Sequence, residues 1–398
     1  MSFSINVEKI KPSATMAVSA LAKRLKAEGR DVIDMSAGEP DYDTPAHIAE
    51  AGIEGIRAGK TRYTPAPGMP ELRQAIARAL SDRTGHELDP AGIVVTSGAK
   101  QALFNSCFCL FGPGDDVLIS SPYWTSYPEI VSLARANPVP VAGAEERDFR
   151  LTPDDLDRVA GPSARGLIYS SPSNPTGTVY PREELRRLVE WARHRRIWLI
   201  ADEIYRAINF TGVEGQPAPG LLDLPVDSLG NYVLIDGASK AFAMTGWRLG
   251  FSYCETRVAK ELAAVQSHVS SNAATPSQMA ALAAYTDRIR TDRAVKEMVA
   301  AFRRRRDLIV RLVDELLPDL TYVKPHGAFY LFCRVDSTFD DGVPDSTAFC
   351  NWVLEETGVA LVPGVAFGDD RYVRMSYALS DALIEDAIKR LADALARR

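Results

Sequence analysis

Between residues 93 and 236, short apolar runs alternate with stretches of helical hydrophobic period, and this alternation constrains the fold more than any other feature of the chain. Segments 93–96, 116–120, 166–170, 198–202 and 232–236 read as strands, with amphipathic stretches such as 101–110 and 183–193 between them. Strands separated by whole helices cannot pair as hairpins. They build a largely parallel sheet covered by helices on both faces, an α/β architecture. After about residue 285 the pattern changes to one long helix, two short strands over 327–333 and 372–377, and a closing helix over 382–396, which reads as a smaller α+β domain. Two domains are also what 398 residues lead one to expect. In open α/β sheets ligands collect beyond the carboxyl ends of the strands, so the polar residues there are the candidates for function.

Several function classes are excluded early. Lys plus Arg number 46 against 52 Asp plus Glu, a net charge of -6 that gives no broad electrostatic footprint for nucleic acid. The basic block Arg303-Arg304-Arg305-Arg306 lies where Val295, Val299, Phe302, Ile309, Leu312, Val313 and Leu316 recur at helical spacing, and reads as a solvated helix face. Cys107, Cys109, Cys254, Cys333 and Cys350 form no CxxC pair and have no His at zinc spacing, so no metal is expected; reduced, mostly buried thiols of a cytoplasmic protein are. Residues 1–11 hold no apolar run of signal-peptide length, and no stretch approaches a membrane span.

The chemistry concentrates around Lys240. It follows the apolar run Tyr232-Val233-Leu234-Ile235, within Gly237-Ala238-Ser239-Lys240-Ala241-Phe242-Ala243-Met244-Thr245-Gly246-Trp247-Arg248-Leu249-Gly250. A lone lysine at the mouth of a sheet is ordinarily a surface residue. Here Arg248 supplies a planar cation suited to a phosphate, and Gly246 lets the backbone turn close to a ligand. A lysine whose pKa is depressed by burial and nearby positive charge is a nucleophile able to form a Schiff base.

Three further segments end strands in the same way. In Trp198-Leu199-Ile200-Ala201-Asp202-Glu203-Ile204-Tyr205, Asp202 is either a helix N-cap or an ion-pair partner for a protonated ring nitrogen. Tyr169-Ser170-Ser171-Pro172-Ser173-Asn174-Pro175-Thr176-Gly177 is punctuated as a turn. Val94-Val95-Thr96-Ser97-Gly98-Ala99-Lys100-Gln101-Ala102-Leu103 reads strand, tight turn, helix, and the N–H groups of Ser97, Gly98 and Ala99 would bind a phosphate dianion through the helix dipole. Neither GxxxxGK[ST] nor GxGxxG occurs, which argues against a Walker loop and a nicotinamide dehydrogenase.

Taken together, these segments resemble the class I/II pyridoxal-phosphate-dependent aminotransferases, over nearly the whole chain from Lys11 to Tyr377. The run around Lys240 resembles the family's lysine motif, and residues 171–177 its SPxNPTG turn. The resemblance implies fold type I of these transferases: residues 1–44 as an N-terminal arm and part of the small domain, 45–290 as the large cofactor-binding domain, and 291–398 as the small domain. It implies pyridoxal 5′-phosphate held by Lys240 in a Schiff base, with Asp202 on the pyridine nitrogen and Tyr205 and Asn174 at the 3-oxygen. Ser97, Gly98, Ala99, Ser239 and Arg248 would surround the phosphate. Trp124, by size an ordinary core residue, would stack on the ring. Tyr63, ahead of Pro67-Gly68-Met69-Pro70-Glu71-Leu72-Arg73, would reach the phosphate of a neighbouring subunit, which implies a homodimer with shared active sites. Many relatives carry Ser three residues before the lysine; here stands Gly237, leaving one phosphate hydrogen bond missing or replaced by Ser239.

For substrate, the resemblance gives Arg374, in Tyr372-Val373-Arg374-Met375-Ser376-Tyr377, the amino acid's α-carboxylate, with Asn174 and the Gly38 backbone of Ala37-Gly38-Glu39-Pro40-Asp41 beside it. One branch of aspartate aminotransferases uses an Arg four residues before Ser-Asn for the distal carboxylate, but Ser267 stands there, ahead of Ser271-Asn272. The chain is most similar to the other branch, through Lys11-Pro12-Ser13-Ala14-Thr15 and Lys100 in GAKQALFN, so Lys100, Thr15 and Ser271 are expected at the distal carboxylate. The expected activity is transfer of the amino group from L-aspartate to 2-oxoglutarate by a ping-pong mechanism, with Lys240 as general base and Asp202 and Tyr205 tuning the cofactor. The alternatives are prephenate, aromatic or neutral amino acids as substrates, or a β-lyase or decarboxylase on the same scaffold.

Overall fold

A computed structural model describes residue 10 and residues 14–213 and 215–398; Lys11, Pro12 and Ser13 of the amino-terminal motif lie outside the described residues. The first strand in the chain is β1 (Ile33–Asp34), after helix Ala14–Ala27. A seven-stranded sheet follows, made of β2 (Ile93–Thr96), β3 (Asp116–Ser121), β4 (Asn137–Ala142), β5 (Ala164–Ser170), β6 (Trp198–Asp202), β7 (Tyr232–Gly237) and β8 (Gly250–Cys254), in the spatial order β2-β8-β7-β6-β5-β3-β4. A four-stranded antiparallel sheet takes β9 (Tyr322–Val323), β10 (Tyr330–Arg334), β12 (Val362–Pro363) and β13 (Tyr372–Ser376), while β11 (Val359–Ala360) pairs in parallel with β1.

The five strands from β7 to β4 run parallel, as the alternating pattern requires. Their central members are buried on both faces, which is why they read as continuous apolar runs. Leu167, Leu199 and Leu234 meet Leu185, Leu188 and Val189 of helix Arg182–Arg195 on one face. Ile168, Ile200 and Val233 meet Leu103 and Cys107 of helix Ala99–Leu110 on the other. Each such fully buried Leu or Ile contributes about 1.5–3 kcal/mol. The edge strand β4 carries Pro138 and Pro140, tolerable only where one side of the strand goes unpaired.

The sequence reading had no strand at 250–254. There β8 inserts antiparallel to both β2 and β7, its register putting Gly250 opposite Thr96 on one side and Gly237 on the other. That reversal makes β2 parallel to β7, so the carboxyl ends of β2, β3, β5, β6 and β7 share one rim.

Two other expectations need correction. The strand expected over 327–333 begins only at Tyr330, because Ala328 adopts a left-handed φ of 58° and Gly327 is held in a separate bridge to Asn209. The arginine block, on helix Arg288–Leu316, is not a solvated face: of its four arginines Arg304 alone is exposed, and Arg305 and Arg306 are buried. Arg305 pairs with Asp41 at 2.7 Å, and Arg306 donates to the Pro325 carbonyl at 2.6 Å. The helix is covered on more than one side, by helix Asp381–Ala396 through Phe302, Ile309, Ile384 and Ile388 and by the 41–42 turn. Cys107, Cys254, Cys333 and Cys350 are buried free thiols and Cys109 is half-buried. Among the described residues no helix is long and apolar enough to cross a membrane.

Candidate active site

At the shared rim the backbone packs so closely that glycine is required. A Cβ on Gly250 would lie 2.3 Å from the Ala99 nitrogen, and one on Gly237 would lie 2.7 Å from the Gly250 Cα. A serine at position 237 would therefore not fit this backbone. Gly98, at φ 85°, opens helix Ala99–Leu110, and a Cβ there would come within 2.6 Å of Arg248 Nη2. The guanidinium is thus seated against the helix amino terminus, and buried Ser239 immediately precedes Lys240. Arg248 itself is exposed and donates to the Thr245 carbonyl at 2.8 Å. Of the three N–H groups expected to take a phosphate, two are bonded within the chain: Ser97 N–H to Gln101 Oε1 at 2.6 Å and Gly98 N–H to the Thr96 carbonyl at 2.8 Å. Gln101 in turn donates to Ser270 at 2.6 Å. The helix terminus and the Arg248 guanidinium against it bring positive charge together at one place, chemistry that fits a phosphate monoester.

Lys240 lies on the short helix Ala238–Ala241 directly after β7. Its ammonium donates to the Gly38 carbonyl and sits 5.7 Å from the centre of the Tyr205 ring and 6.0 Å from that of Phe329. Lys240 as a whole is half-buried. Burial brings its pKa down to about 8; Glu39 resists this, while Arg374 and Arg248 add to it. The Gly38–Glu39 turn is fastened to the lysine loop by the Thr245 hydroxyl, which donates to Glu39 at 2.8 Å.

Asp202 ends β6 and is buried. Its Oδ2 accepts from the Tyr127 hydroxyl at 2.8 Å and its Oδ1 from the Ile204 N–H at 3.2 Å. Burial raises its pKa to about 6, the two hydrogen bonds hold it back, and the Glu203 carboxylate pushes it further. Glu203 is itself matched by Arg206 at 3.5 Å. A carboxylate so poised is suited to a ring nitrogen that brings a proton. Tyr127 packs edge-on against Trp124, with ring centres 5.6 Å apart, and the ammonium of exposed Lys100 lies over the Trp124 ring at 4.8 Å.

Arg374, on β13, is 1% exposed. It donates to the Asn174 amide oxygen at 3.0 Å and the Ser36 carbonyl at 2.7 Å, and its carbon centre lies 4.3 Å from the Tyr330 ring and 5.1 Å from that of Phe367. Its Nε is buried without a hydrogen-bond partner, a donor left for an incoming acceptor. Tyr205 and Tyr330 join hydroxyl to hydroxyl at 2.7 Å.

Lys240 is thus linked to Gly38 and Tyr205, Tyr205 through Tyr330 to Arg374, and Arg374 to Asn174, with Asp202 near enough for its charge to act on Lys240. Trp124 and Lys100 connect through Tyr127 to Asp202, while Ser97, Gly98 and Ala99 follow β2, Ser239 follows β7, and Arg248 lies against Gly98. Three expected residues stand further out. Tyr63 is 87% exposed on the single chain, Ser271 is exposed at a left-handed φ of 62°, and Thr15 lies in the first turn of helix Ala14–Ala27. Sequence reasoning missed Tyr127, Tyr330, Ser36 and Gln101. Tyr127 stands three positions after Trp124, and Tyr330 is a hydroxyl inside an apolar strand; both were available as signals.

A separate cleft of about 450 Å³ opens near β4 and is lined by Glu145, Arg334 and Arg371 among others. Its charges are matched to one another, with Glu145 on both arginines, and it lies away from Lys240.

A profile of the family described as aminotransferase class I and II matches residues 30–391. The chain is 42% identical over 405 aligned positions to a bifunctional aspartate aminotransferase and glutamate/aspartate-prephenate aminotransferase of Petunia hybrida, covering 99% of this chain and 83% of that protein. It is 39% identical to an aspartate aminotransferase of Geobacillus stearothermophilus, with 98% of each chain covered. Among solved structures, the aspartate aminotransferase of Thermus thermophilus with maleate superposes at a TM-score of 0.92, with 38% identity and 99% of both chains covered.

Proposed function

The chain belongs to the aminotransferase class I and II family, and from that premise we propose that it is a pyridoxal-phosphate-dependent aspartate aminotransferase that passes the amino group of L-aspartate to 2-oxoglutarate. The observation that carries the reading is the nearness of three groups: the pKa-lowered amine of Lys240, with the buried carboxylate of Asp202 and the buried guanidinium of Arg374 close enough for their charges to act on it. The residues fit the cofactor. Lys240 would hold it, Asp202 its ring nitrogen, Tyr205 and Asn174 its 3-oxygen, Trp124 its ring face, and Ser97, Gly98, Ala99, Ser239 and Arg248 its phosphate. Exposed Tyr63 would serve the phosphate of a second copy in a homodimer. Bound there, the group supplies an electron-withdrawing ring that acidifies the carbon bearing the substrate's amine.

The chain's own side chains do the rest. Arg374 and Asn174 grip the α-carboxylate, with the Gly38 backbone alongside. Lys240 Nζ, once free, takes the proton from the α-carbon, and a pKa near 8 keeps a working share of it neutral at physiological pH. Lys100, with Thr15 and Ser271, would meet the distal carboxylate. That a relative was solved with maleate, itself a dicarboxylate, supports an acidic substrate. The division into 1–44, 45–290 and 291–398 is part of the same proposal, as is residence in the cytoplasm. A second reading has its own support: the relative from Petunia hybrida also acts on prephenate by name, and a lysine-lined pocket with Ser267 in place of an arginine leaves room for a bulkier oxo acid.

The test is the visible absorption of protein loaded with pyridoxal phosphate, with single amino acids added and no oxo acid. Aspartate or glutamate should convert the band to that of the aminated cofactor with release of the matching oxo acid. Conversion by neutral or aromatic amino acids alone would remove the Lys100 pocket. Release of pyruvate or carbon dioxide without amination would assign the scaffold a different reaction.

A further inference from the structure

Tyr205 and Tyr330 come from different sheets. Tyr205 follows β6 of the large sheet and Tyr330 opens β10 of the small one, yet their hydroxyls meet at 2.7 Å with both rings buried. Both rings face a cation, but unequally: Arg374 rests on the Tyr330 ring at 4.3 Å, whereas the Lys240 ammonium stands 5.7 Å from the Tyr205 ring. A Cβ on Gly38 would stand 3.6 Å from the Tyr330 oxygen, so the turn that accepts the Lys240 ammonium closes the remaining side. One hydroxyl thereby touches the surroundings of all three site elements.

We propose that Tyr330 is a positioning residue of this site: by donating its hydroxyl proton to Tyr205, it fixes where Tyr205 presents its own. A tyrosine hydroxyl has one proton to give and lone pairs to receive with. In a pair of hydroxyls, the better donor is the one whose oxygen more readily bears negative charge. The nearer cation, Arg374, makes that Tyr330, and with Tyr330 donating, the Tyr205 proton is directed away from Tyr330 and left for a ligand. A hydroxyl that receives a hydrogen bond is also a stronger donor in turn. Tyr205 therefore offers the 3-oxygen of pyridoxal phosphate a firmer hydrogen bond than an isolated tyrosine would. This rests on the pyridoxal-phosphate reading above. It adds that the small sheet reaches the cofactor's electronics through Tyr330, without Tyr330 touching the cofactor.

The experiment is a pH titration of the visible band of the loaded protein for the wild type, Tyr330→Phe, Tyr205→Phe and the double variant. A hydrogen bond at the 3-oxygen favours the deprotonated form of the lysine linkage, so Tyr330→Phe should move the titration upward by about 0.5–1 unit, one lost hydrogen bond's worth. In the Tyr205→Phe background, removing the Tyr330 hydroxyl should add nothing. Tyr330→His, which keeps a donor near the same place, should recover part of the shift. An unchanged titration in Tyr330→Phe, or an equal shift with and without the Tyr205 hydroxyl, overturns the proposal. The two failures separate cleanly: a wild-type protein that takes up pyridoxal phosphate without a Lys240-dependent band overturns the cofactor reading, whereas a normal wild-type band with an inert Tyr330→Phe overturns only the role of Tyr330.

Discussion

The hydroxyl of Tyr127 donates a 2.8 Å hydrogen bond to Oδ2 of Asp202, and both residues are buried. Without it, the Ile204 N–H would be the one hydrogen bond left to Asp202, helped only by the Lys240 charge, in a site where burial already lifts its pKa to about 6. Tyr127→Phe keeps the ring against Trp124 and removes only that bond. A hydrogen bond to the charged form favours the charge, so its loss should raise the Asp202 pKa by about one further unit. Carboxyl-carbon NMR of the cofactor-free protein would follow the titration. Turnover at pH 6 should fall more steeply than at pH 8, because the site needs Asp202 ionised.

Lys240 predicts a pH-dependent stability. Its folded pKa, near 8, lies below the value of about 10.5 expected in the unfolded chain, so between those limits the unfolded state binds more protons and stability rises with pH. Below pH 8 the lysine is charged in both states, and the full cost of enclosing the charge falls on the folded one. Lys240→Met, in addition to abolishing transamination, should therefore raise the melting temperature of the cofactor-free protein at pH 7. That advantage should shrink between pH 8 and 10.5. Thermal melts across that range give the answer, and a gain independent of pH would contradict the assignment.

Gly98 combines a positive φ with a place that only the absence of a side chain leaves open, 2.6 Å from Arg248 Nη2. Gly98→Ala should cost about 1 kcal/mol of stability from the backbone strain. It should also displace the guanidinium from the helix terminus, so pyridoxal phosphate should bind on the order of tenfold more weakly, the usual consequence of losing one charge-assisted contact. Titration of the cofactor into the apo protein separates this from the stability effect, since pyridoxal lacking the phosphate should lose little affinity.

What the sequence made legible is what lies close together along it. Lys240, Ser239, Gly246 and Arg248 share one segment, and Asp202 and Tyr205 share another, so their residue types and spacing could be read in place. The contacts that complete the site join distant parts of the chain: Tyr127 to Asp202 across 75 positions, Tyr205 to Tyr330 across 125, Arg374 to Ser36 across 338. No local period carries that information. Strand direction was hidden for a similar reason, since hydrophobic alternation is the same for parallel and antiparallel neighbours and β8 gave no sign of its reversal. The arginine block failed differently. Amphipathic spacing identifies the helix's apolar stripe, but not whether the flanks of a helix as long as Arg288–Leu316 are also covered, and here Asp41 and the Pro325 carbonyl bury two of the four arginines.

Arg374 offers a separation of binding from chemistry. Its two terminal nitrogens are already bonded to Asn174 and Ser36, so Arg374→Lys would keep a charge but could not restore both bonds and a free donor. The KM for aspartate should rise on the order of 100-fold, the scale of a lost bidentate, charge-assisted contact. kcat should change much less if the lysine still abstracts the proton from correctly bound substrate. A fall in kcat with KM unchanged would remove Arg374 from the carboxylate site.

Lys100 carries the claim of specificity. Its ammonium lies over the Trp124 ring at 4.8 Å, and its pKa is lowered by burial and by Arg248, a setting in which a substrate carboxylate would be welcomed as a counter-charge. Because its tip is exposed, the contact is partly screened, and Lys100→Ala should cost about 1–1.5 kcal/mol toward acidic substrates. That corresponds to roughly a tenfold loss in kcat/KM for aspartate and glutamate, with alanine and phenylalanine nearly unaffected. The comparison between substrates matters more than the loss itself. A uniform drop across acidic and neutral amino acids would mean that Lys100 supports Trp124 and the cofactor, and the choice of a distal carboxylate would then have to be made elsewhere.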